Sequence, residues 1–410
     1  MAMASPPWAS LNENILGDIF RSLPSFTDLA SASQVCRDWR SVALQRENHP
    51  LPALPWLLMP STASTSHFRL FGRTTHHATP HVPVGARFCG SFPGGWFVVA
   101  LRQAPPGGRY ALLNLHSGEK IALPDNMGAP VKSSTGIQHY STYAVVAIHA
   151  AALSAAPTRD GAYIVAAITS SQTNIAFWRP GMAHWSPPLH TEVDRRASWA
   201  YKMIPTGTED GFMEDVVHYR RRDLERFCVL TSTERLFFYE PVNATDGTLT
   251  MRHTVRIRMF HAVGGTPAGP GELVARYLVV SGEDLLIVRR YASLPFAPDR
   301  IGLHVFRLRE EGQPQDSCFW RNCSSLELRG QVLFLGRGCS RAYTYTTAVH
   351  RHPGGYIYLL DAERFRGLTA VDFRCSDTGR CDYRHFLLQI RRVLPRGPAS
   401  DCSPWIWFFH

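Results

Sequence analysis

Four kinds of side-chain grouping in this 410-residue chain could carry bond chemistry. Ser117-Gly118-Glu119-Lys120 matches S-x-x-K, the acyl-transfer pattern in which a lysine helps to deprotonate a serine. The four residues fall where a hairpin turn is expected, not at a helix start, and no companion motif follows. His76, His77 and His81, and separately His350 and His352, offer imidazoles to a metal, which needs three or four donors converging at short range. Neither group has a Cys or carboxylate at helical or knuckle spacing. The nine cysteines are Cys36, Cys89, Cys228, Cys318, Cys323, Cys339, Cys375, Cys381 and Cys402. Their number is odd, no C-x-x-C pair occurs, and the gaps 318 to 323 and 375 to 381 are too long for a knuckle, so reduced and buried thiols are expected. Gly264 to Gly271 is glycine-rich, but Pro267 and Pro270 lack the backbone N–H groups a phosphate cradle uses. The expectation is a chain without catalytic residues, metal or cofactor.

The elements that would have to position a site are of two kinds. Leu11 to Ala43 reads as three short amphipathic helices. Ser10 with Glu13 has capping-box spacing, and Ile15, Leu16, Ile19, Phe20 and Leu23 follow on one stripe before Pro24 ends the helix. Ser25 with Asp28 repeats the capping signal ahead of Phe26 and Leu29, and Val35, Trp39, Val42 and Ala43 mark the buried face of a third helix. Three such helices carry more apolar surface than they can bury among themselves, which suits docking on a partner. The bland alternative is a helical cap on the following domain.

Leu11, Ile15, Leu16, Leu23, Pro24, Leu29 and above all Val35-Cys36-x-x-Trp39-Arg40 resemble an F-box, with Leu11-Asn12 where that motif usually opens Leu-Pro. The resemblance implies binding of the Skp-type adaptor of an SCF-type ligase, and through it the cullin and RING subunits. Carried onto this chain, it makes Leu11, Ile15, Leu16, Ile19, Leu23, Pro24, Val35, Cys36 and Trp39 the candidates for adaptor contact or its immediate support.

Composition bounds the remainder: 45% hydrophobic and 19% charged residues are those of a globular chain with a sizeable second core. No stretch approaches the roughly 18 apolar residues of a membrane span, and residues 1–10 lack the pattern of a signal peptide. A soluble protein of the nucleus or cytoplasm is expected, in which the sequons at Asn243 and Asn322 mean nothing. The net charge of +10 is spread over pairs and triplets such as Arg220-Arg221-Arg222, without a concentrated patch, so no nucleic-acid partner is expected. Only Lys120, Lys132 and Lys202 are lysines; for a ligase subunit that would mean few sites of self-ubiquitination, although codon bias accounts for the same skew.

Pro50 to Pro60 is too apolar for a flexible linker and is expected to be an ordered strap packing Trp56, Leu57 and Leu58. From about Phe68 the pattern becomes short strands between Gly, Pro, Asn and Asp turns. Meanders start at Gly95, Ala162, Arg226, Arg276 and Val332, roughly every 45 to 65 residues, with no long helix. A unit of this kind cannot bury both faces alone, so the units must stack around an axis, which favours a β-propeller of about six or seven blades over two stacked sandwiches. Leu112 to Gly118, Phe177 to Gly181 leading to Trp185, Leu333-Phe334-Leu335-Gly336 and Gly355 to Asp361 are similar to the C-terminal domain of plant F-box proteins with a KIB-type β-propeller.

The fold class is therefore α+β multidomain: a small three-helix F-box (8–47), a proline-rich connector (48–66), an all-β propeller-like recruitment domain (67–395) and an aromatic tail (396–410). Pro404 to His410 is too apolar for a free tail and is expected to close the β domain, a docking peptide being the alternative. The two parts together imply the substrate-recognition subunit of an E3 ubiquitin ligase with an unknown protein target. Two rivals stay open: a propeller that scaffolds or inhibits an enzyme such as a kinase, and an enzyme with its site in the propeller's central channel.

Overall fold

The computed structural model describes residues 8, 11–23, 29, 31–45, 48, 54–61, 63–70, 74–76, 81–101, 109–132, 138–143, 148–158, 161–169, 174–188, 213–222, 224–243, 249–256, 273–291, 300–310, 318–324, 326–328, 330–344, 355–360, 379–382, 388–389 and 403–409. Two helices lie near the N-terminus, α1 (Glu13–Ser22) and α2 (Arg37–Ala43). The expected middle helix falls largely on residues outside the described set, as does Pro24, so two helices stand where three were expected. The cap of α1 is Asn12 rather than Ser10, because the helix starts at Glu13 and the Asn12 side chain accepts from the N–H of Asn14 at 2.9 Å.

The described strands form six blades. The first holds β1 (Trp56–Met59), β2 (Ser66–Arg69) and β3 (Thr74–His76). The second is the meander β4 (Arg87–Phe92), β5 (Trp96–Ala100), β6 (Tyr110–Asn114) and β7 (Lys120–Leu123). A two-stranded insert follows, β8 (Met127–Lys132) with β9 (Gln138–Tyr143). The third blade has β10 (Ile148–Leu153), β11 (Val165–Thr169) and β12 (Asn174–Trp178). The fourth has β13 (Met213–Arg221), β14 (Leu224–Thr231), β15 (Leu236–Asn243) and β16 (Leu249–Arg256). The fifth has β17 (Leu273–Ser281), β18 (Asp284–Tyr291), β19 (Arg300–Glu310) and β20 (Cys318–Asn322).

The last blade breaks the meander. It uses β21 (Gln331–Leu335), β22 (Arg341–Thr344), β23 (Tyr356–Leu359) and β24 (Gly379–Asp382) in the order β22-β21-β23-β24, with β21 and β23 parallel. The short β25 (Leu388–Gln389) joins β19, and β26 (Ile406–Phe408) pairs antiparallel with β1. The aromatic tail is thus a closing strand of the first blade. Trp56–Met59, placed by its prolines in a connecting strap, is the first strand of that same blade, because its hydrogen-bond partners are β2 on one side and β26 on the other.

Around the axis β26, β4, β10, β13, β17 and β22 stand in turn, and apolar layers fill the seams between blades. Trp407, fully buried, packs edge-on against Phe334 at 5.1 Å, and Tyr343 meets Phe409 at 6.1 Å, so the first and last blades are joined mainly by aromatic rings. One seam is ionic: Arg276 Nε and Arg289 Nε of the fifth blade reach Glu234 Oε1 of the fourth at 3.0 and 2.7 Å. Arg276 also faces Glu214 at 3.3 Å, all four groups being largely removed from solvent. No helix among the described residues is long and apolar enough to cross a membrane.

Candidate interaction surface

The helical stripe at the N-terminus divides between a small core and an outward face. Leu16, Phe20, Leu29, Val42 and Ala43 are buried together, with Leu11, Leu23 and Trp39 packed around them. Phe20 and Trp39 meet edge-on at 5.7 Å, and Trp39 Nε1 donates to the carbonyl of Trp8 at 3.1 Å. Cys36 caps α2, its sulfur accepting from the N–H of Trp39 at 3.5 Å. Gly17 is required by close packing: a Cβ there would lie 2.5 Å from Oδ1 of Asn48. That oxygen accepts from Arg21 at 3.0 Å, while Asn48 Nδ2 donates to the carbonyl of Val42 at 3.1 Å, tying α1 to the end of α2.

Ile15, Ile19 and Val35 point outward, 53%, 37% and 60% exposed. Of the seven exposed large hydrophobic residues among those described, five lie in this segment: Trp8, Ile15, Ile19, Val35 and Leu44. Of the nine candidates Pro24 lies outside the described residues, and the other eight serve different ends: Leu16 is core, Leu11, Leu23 and Trp39 support it, Cys36 is a cap, and Ile15, Ile19 and Val35 are outward apolar side chains. Trp8 and Leu44, which helical periodicity does not single out, are further exposed large apolar residues of the same segment. An apolar group of this size costs solvation free energy unless a partner covers it.

The second notable arrangement is at the axis. The turn 336–340 between β21 and β22 is set among the inner strands. Gly338 donates its N–H to Asp215 Oδ1 on β13 at 3.1 Å and accepts from the N–H of Ser91 on β4 at 3.0 Å. Asp215 Oδ1 also accepts from Val216 at 3.0 Å, and Oδ2 from the N–H of Leu278 on β17 at 2.9 Å. Burial pushes the Asp215 carboxyl up to about 7 against the opposing pull of these donors and of Arg337. Beside the turn, Phe88, His149, Arg337, Leu360, Trp405 and Ile406 line a small pocket. Burial also pushes the Cys339 thiol up to about 12, the state of an unreactive packing thiol.

Ser117 of the S-x-x-K pattern lies in the β6–β7 turn, its Oγ accepting from the N–H of Glu119 at 3.2 Å. His76 is stacked on His67 at 4.9 Å, and His67 on Trp56 at 4.6 Å, a cross-strand ladder on the first blade. Among the described residues no three His, Cys, Asp or Glu side chains converge as metal ligands. Residues 264–271, His77, His350 and His352 lie outside the described residues.

Comparison with known proteins is consistent with this geometry. A family model described as KIB1-4 beta-propeller matches residues 63–383, more than half of the chain, and one described as F-box-like matches residues 8–47. No curated protein matches the sequence. Among solved structures, a match to the crystal structure of the WD40 domain of SCAP from fission yeast is 9% identical and covers 80% of this chain and 59% of that one at a TM-score of 0.31. The match spans less than two thirds of that chain.

Proposed function

The chain belongs to the KIB1-4 β-propeller family with an F-box-like domain ahead of the propeller, and from that premise we propose that it is the substrate-recognition subunit of an SCF-type E3 ubiquitin ligase. The F-box-like helices would hold the Skp-type adaptor, and with it cullin and RING subunits, while the propeller recruits a target protein. The observation that carries the reading is the concentration of exposed large apolar side chains at Trp8, Ile15, Ile19, Val35 and Leu44, on and beside two helices whose own core is already filled by Leu16, Phe20 and Val42.

In this reading the chain performs no bond chemistry. Ubiquitin transfer is accelerated because a target lysine and the charged conjugating enzyme are held on one assembly, so that a bimolecular encounter becomes effectively intramolecular. The placement of the 336–340 turn among the inner strands supports a binding rather than a channel-enzyme role, since the backbone of Gly338 occupies space near the axis that a substrate would need. The nucleus or cytoplasm is the proposed site of action.

The test is a pull-down of purified Skp-type adaptor and cullin by the full chain, beside Ile15→Asp and Val35→Asp. Adaptor capture by the wild type and its loss in both folded variants is the expected result. No capture by the folded wild type would overturn the proposal and leave the helices as a structural cap.

A further inference from the structure

Asp215 has no solvent exposure, and its two oxygens serve three elements at once. Oδ1 takes the N–H groups of Val216 on its own strand and of Gly338 on the turn of the last blade, and Oδ2 takes that of Leu278 on the fifth blade. No cation lies within ion-pair distance of the carboxylate among the described residues. The charged and titratable groups on the surrounding elements are Glu214, His218, Tyr219, Arg220 and Arg221 on β13, Arg276 (paired with Glu214) and Tyr277 on β17, Arg87 and Cys89 on β4, His149 on β10, and Arg337, Cys339, Arg341 and Tyr343 on the turn and β22. Of these, Arg337 acts on the Asp215 carboxyl, favouring its ionised form, and Asp215 in turn acts on the Cys339 thiol.

A carboxylate so placed has two distinct bonding states. Ionised, both oxygens accept and all three N–H groups are satisfied, at the cost of a buried charge. Protonated, the hydroxyl oxygen is a poor acceptor. The proton is best placed on Oδ2, where one hydrogen bond is given up rather than the two at Oδ1.

We propose that Asp215 is a proton-operated latch joining the fourth, fifth and last blades: ionised it holds Leu278 and Gly338 together, and protonated it keeps Gly338 but releases Leu278. The release loosens the β13–β17 seam. It also removes the charge that offsets Arg337, leaving the neighbouring pocket between Phe88, His149 and Trp405 more cationic in mild acid. The burial that sets the group near neutrality decides the sign of the global effect. Folding raises the pKa from its ordinary value of 3.8 to about 7, so the group's contribution to stability is fully present below about pH 4 and is lost as pH rises through about 7. Protonation of Asp215 therefore favours the folded over the unfolded state while weakening one local hydrogen bond.

Two measurements on the full chain test the latch. In chemical denaturation, the folded-to-unfolded ratio of the wild type relative to Asp215→Asn is expected to change about tenfold per pH unit between about pH 4 and about 7. In amide exchange on the wild type, protection of Leu278 is expected to fall about tenfold relative to Val279 between about pH 8 and about pH 5. Parallel pH profiles for wild type and variant, or Leu278 protection that follows Val279, would overturn the proposal. Should Asp215→Asn fail to fold, the exchange measurement decides alone, together with infrared spectra of the wild type in which no carboxylic-acid band growing in on acidification would also overturn it.

Discussion

Gly338 and Asp215 are joined by a backbone-to-carboxylate hydrogen bond of 3.1 Å that brings the turn of the last blade against the inner strand of the fourth. The glycine is held there twice over: its φ is +65°, and a Cβ would sit 2.7 Å from the carbonyl oxygen of Cys89. Gly338→Ala therefore combines left-handed backbone strain with a clash against backbone that has no flexible end to yield. A loss of about 2 to 4 kcal/mol is expected, read as a lower urea midpoint with an unchanged slope.

Surface and core of the N-terminal helices separate by mutation. Ile15→Asp and Val35→Asp replace exposed side chains and should leave the stability of the folded chain within about 0.5 kcal/mol while abolishing adaptor binding. Phe20→Ala removes a fully buried ring that contacts Trp39, and should cost about 3 to 5 kcal/mol of the helical unit's stability before any binding is measured. Circular dichroism and adaptor titration on the same samples distinguish the two outcomes.

The ring should depend on its last strand. Trp407 is fully buried, its Nε1 donating to the carbonyl of Leu335 at 3.0 Å and its ring lying against Phe334 and Tyr358. Trp407→Ala is expected to cost about 3 to 5 kcal/mol. Deleting residues 405–410 leaves β1 as an open edge and should give aggregation at concentrations where the full chain is monodisperse, measured by light scattering.

His67 should act opposite to Asp215. Burial, with smaller contributions from His76 and Arg69, lowers its pKa from 6.5 to about 4. A lowered folded pKa means its stabilising contribution is present above about pH 6.5 and lost as pH falls through about 4. His67→Phe, which keeps a flat ring on Trp56, should show a smaller loss of thermal midpoint than the wild type between about pH 7 and about pH 4.

Much of the propeller was legible from residue pattern, and the parts that were not have a common cause. The meanders read from Gly95, Arg226 and Arg276 correspond to β5–β7, β14–β16 and β17–β19, where β-branched and aromatic residues alternate with turn residues. Two of the innermost strands do not stand out in the sequence: β4 is RFCGSF and β10 is IHAAAL. Near the axis strands approach closely, so small residues are needed; a Cβ on Gly90 would lie 2.8 Å from the carbonyl of Ala151. Small residues are what propensity reasoning discounts in strands.

The helical stripe from Leu11 to Leu23 declared an amphipathic helix but not which of its apolar residues face a core and which face a partner. Leu16 and Ile15 are chemically alike and adjacent, yet one is buried and the other 53% exposed, because the packing of α1 against α2 and Asn48 sets the helix's rotation.

The sequence by itself determined the two-part organisation, the helical and then all-β character, and the apolar excess at the N-terminus, because each follows from local periodicity and composition. Tertiary structure decided the closure of the first blade, since β1 and β26 lie some 350 residues apart (56 against 406) and only ring closure pairs them. It likewise decided the meeting of Asp215, Leu278 and Gly338, which are distant in the chain and share no motif, because such a contact is created when blades stack around one axis.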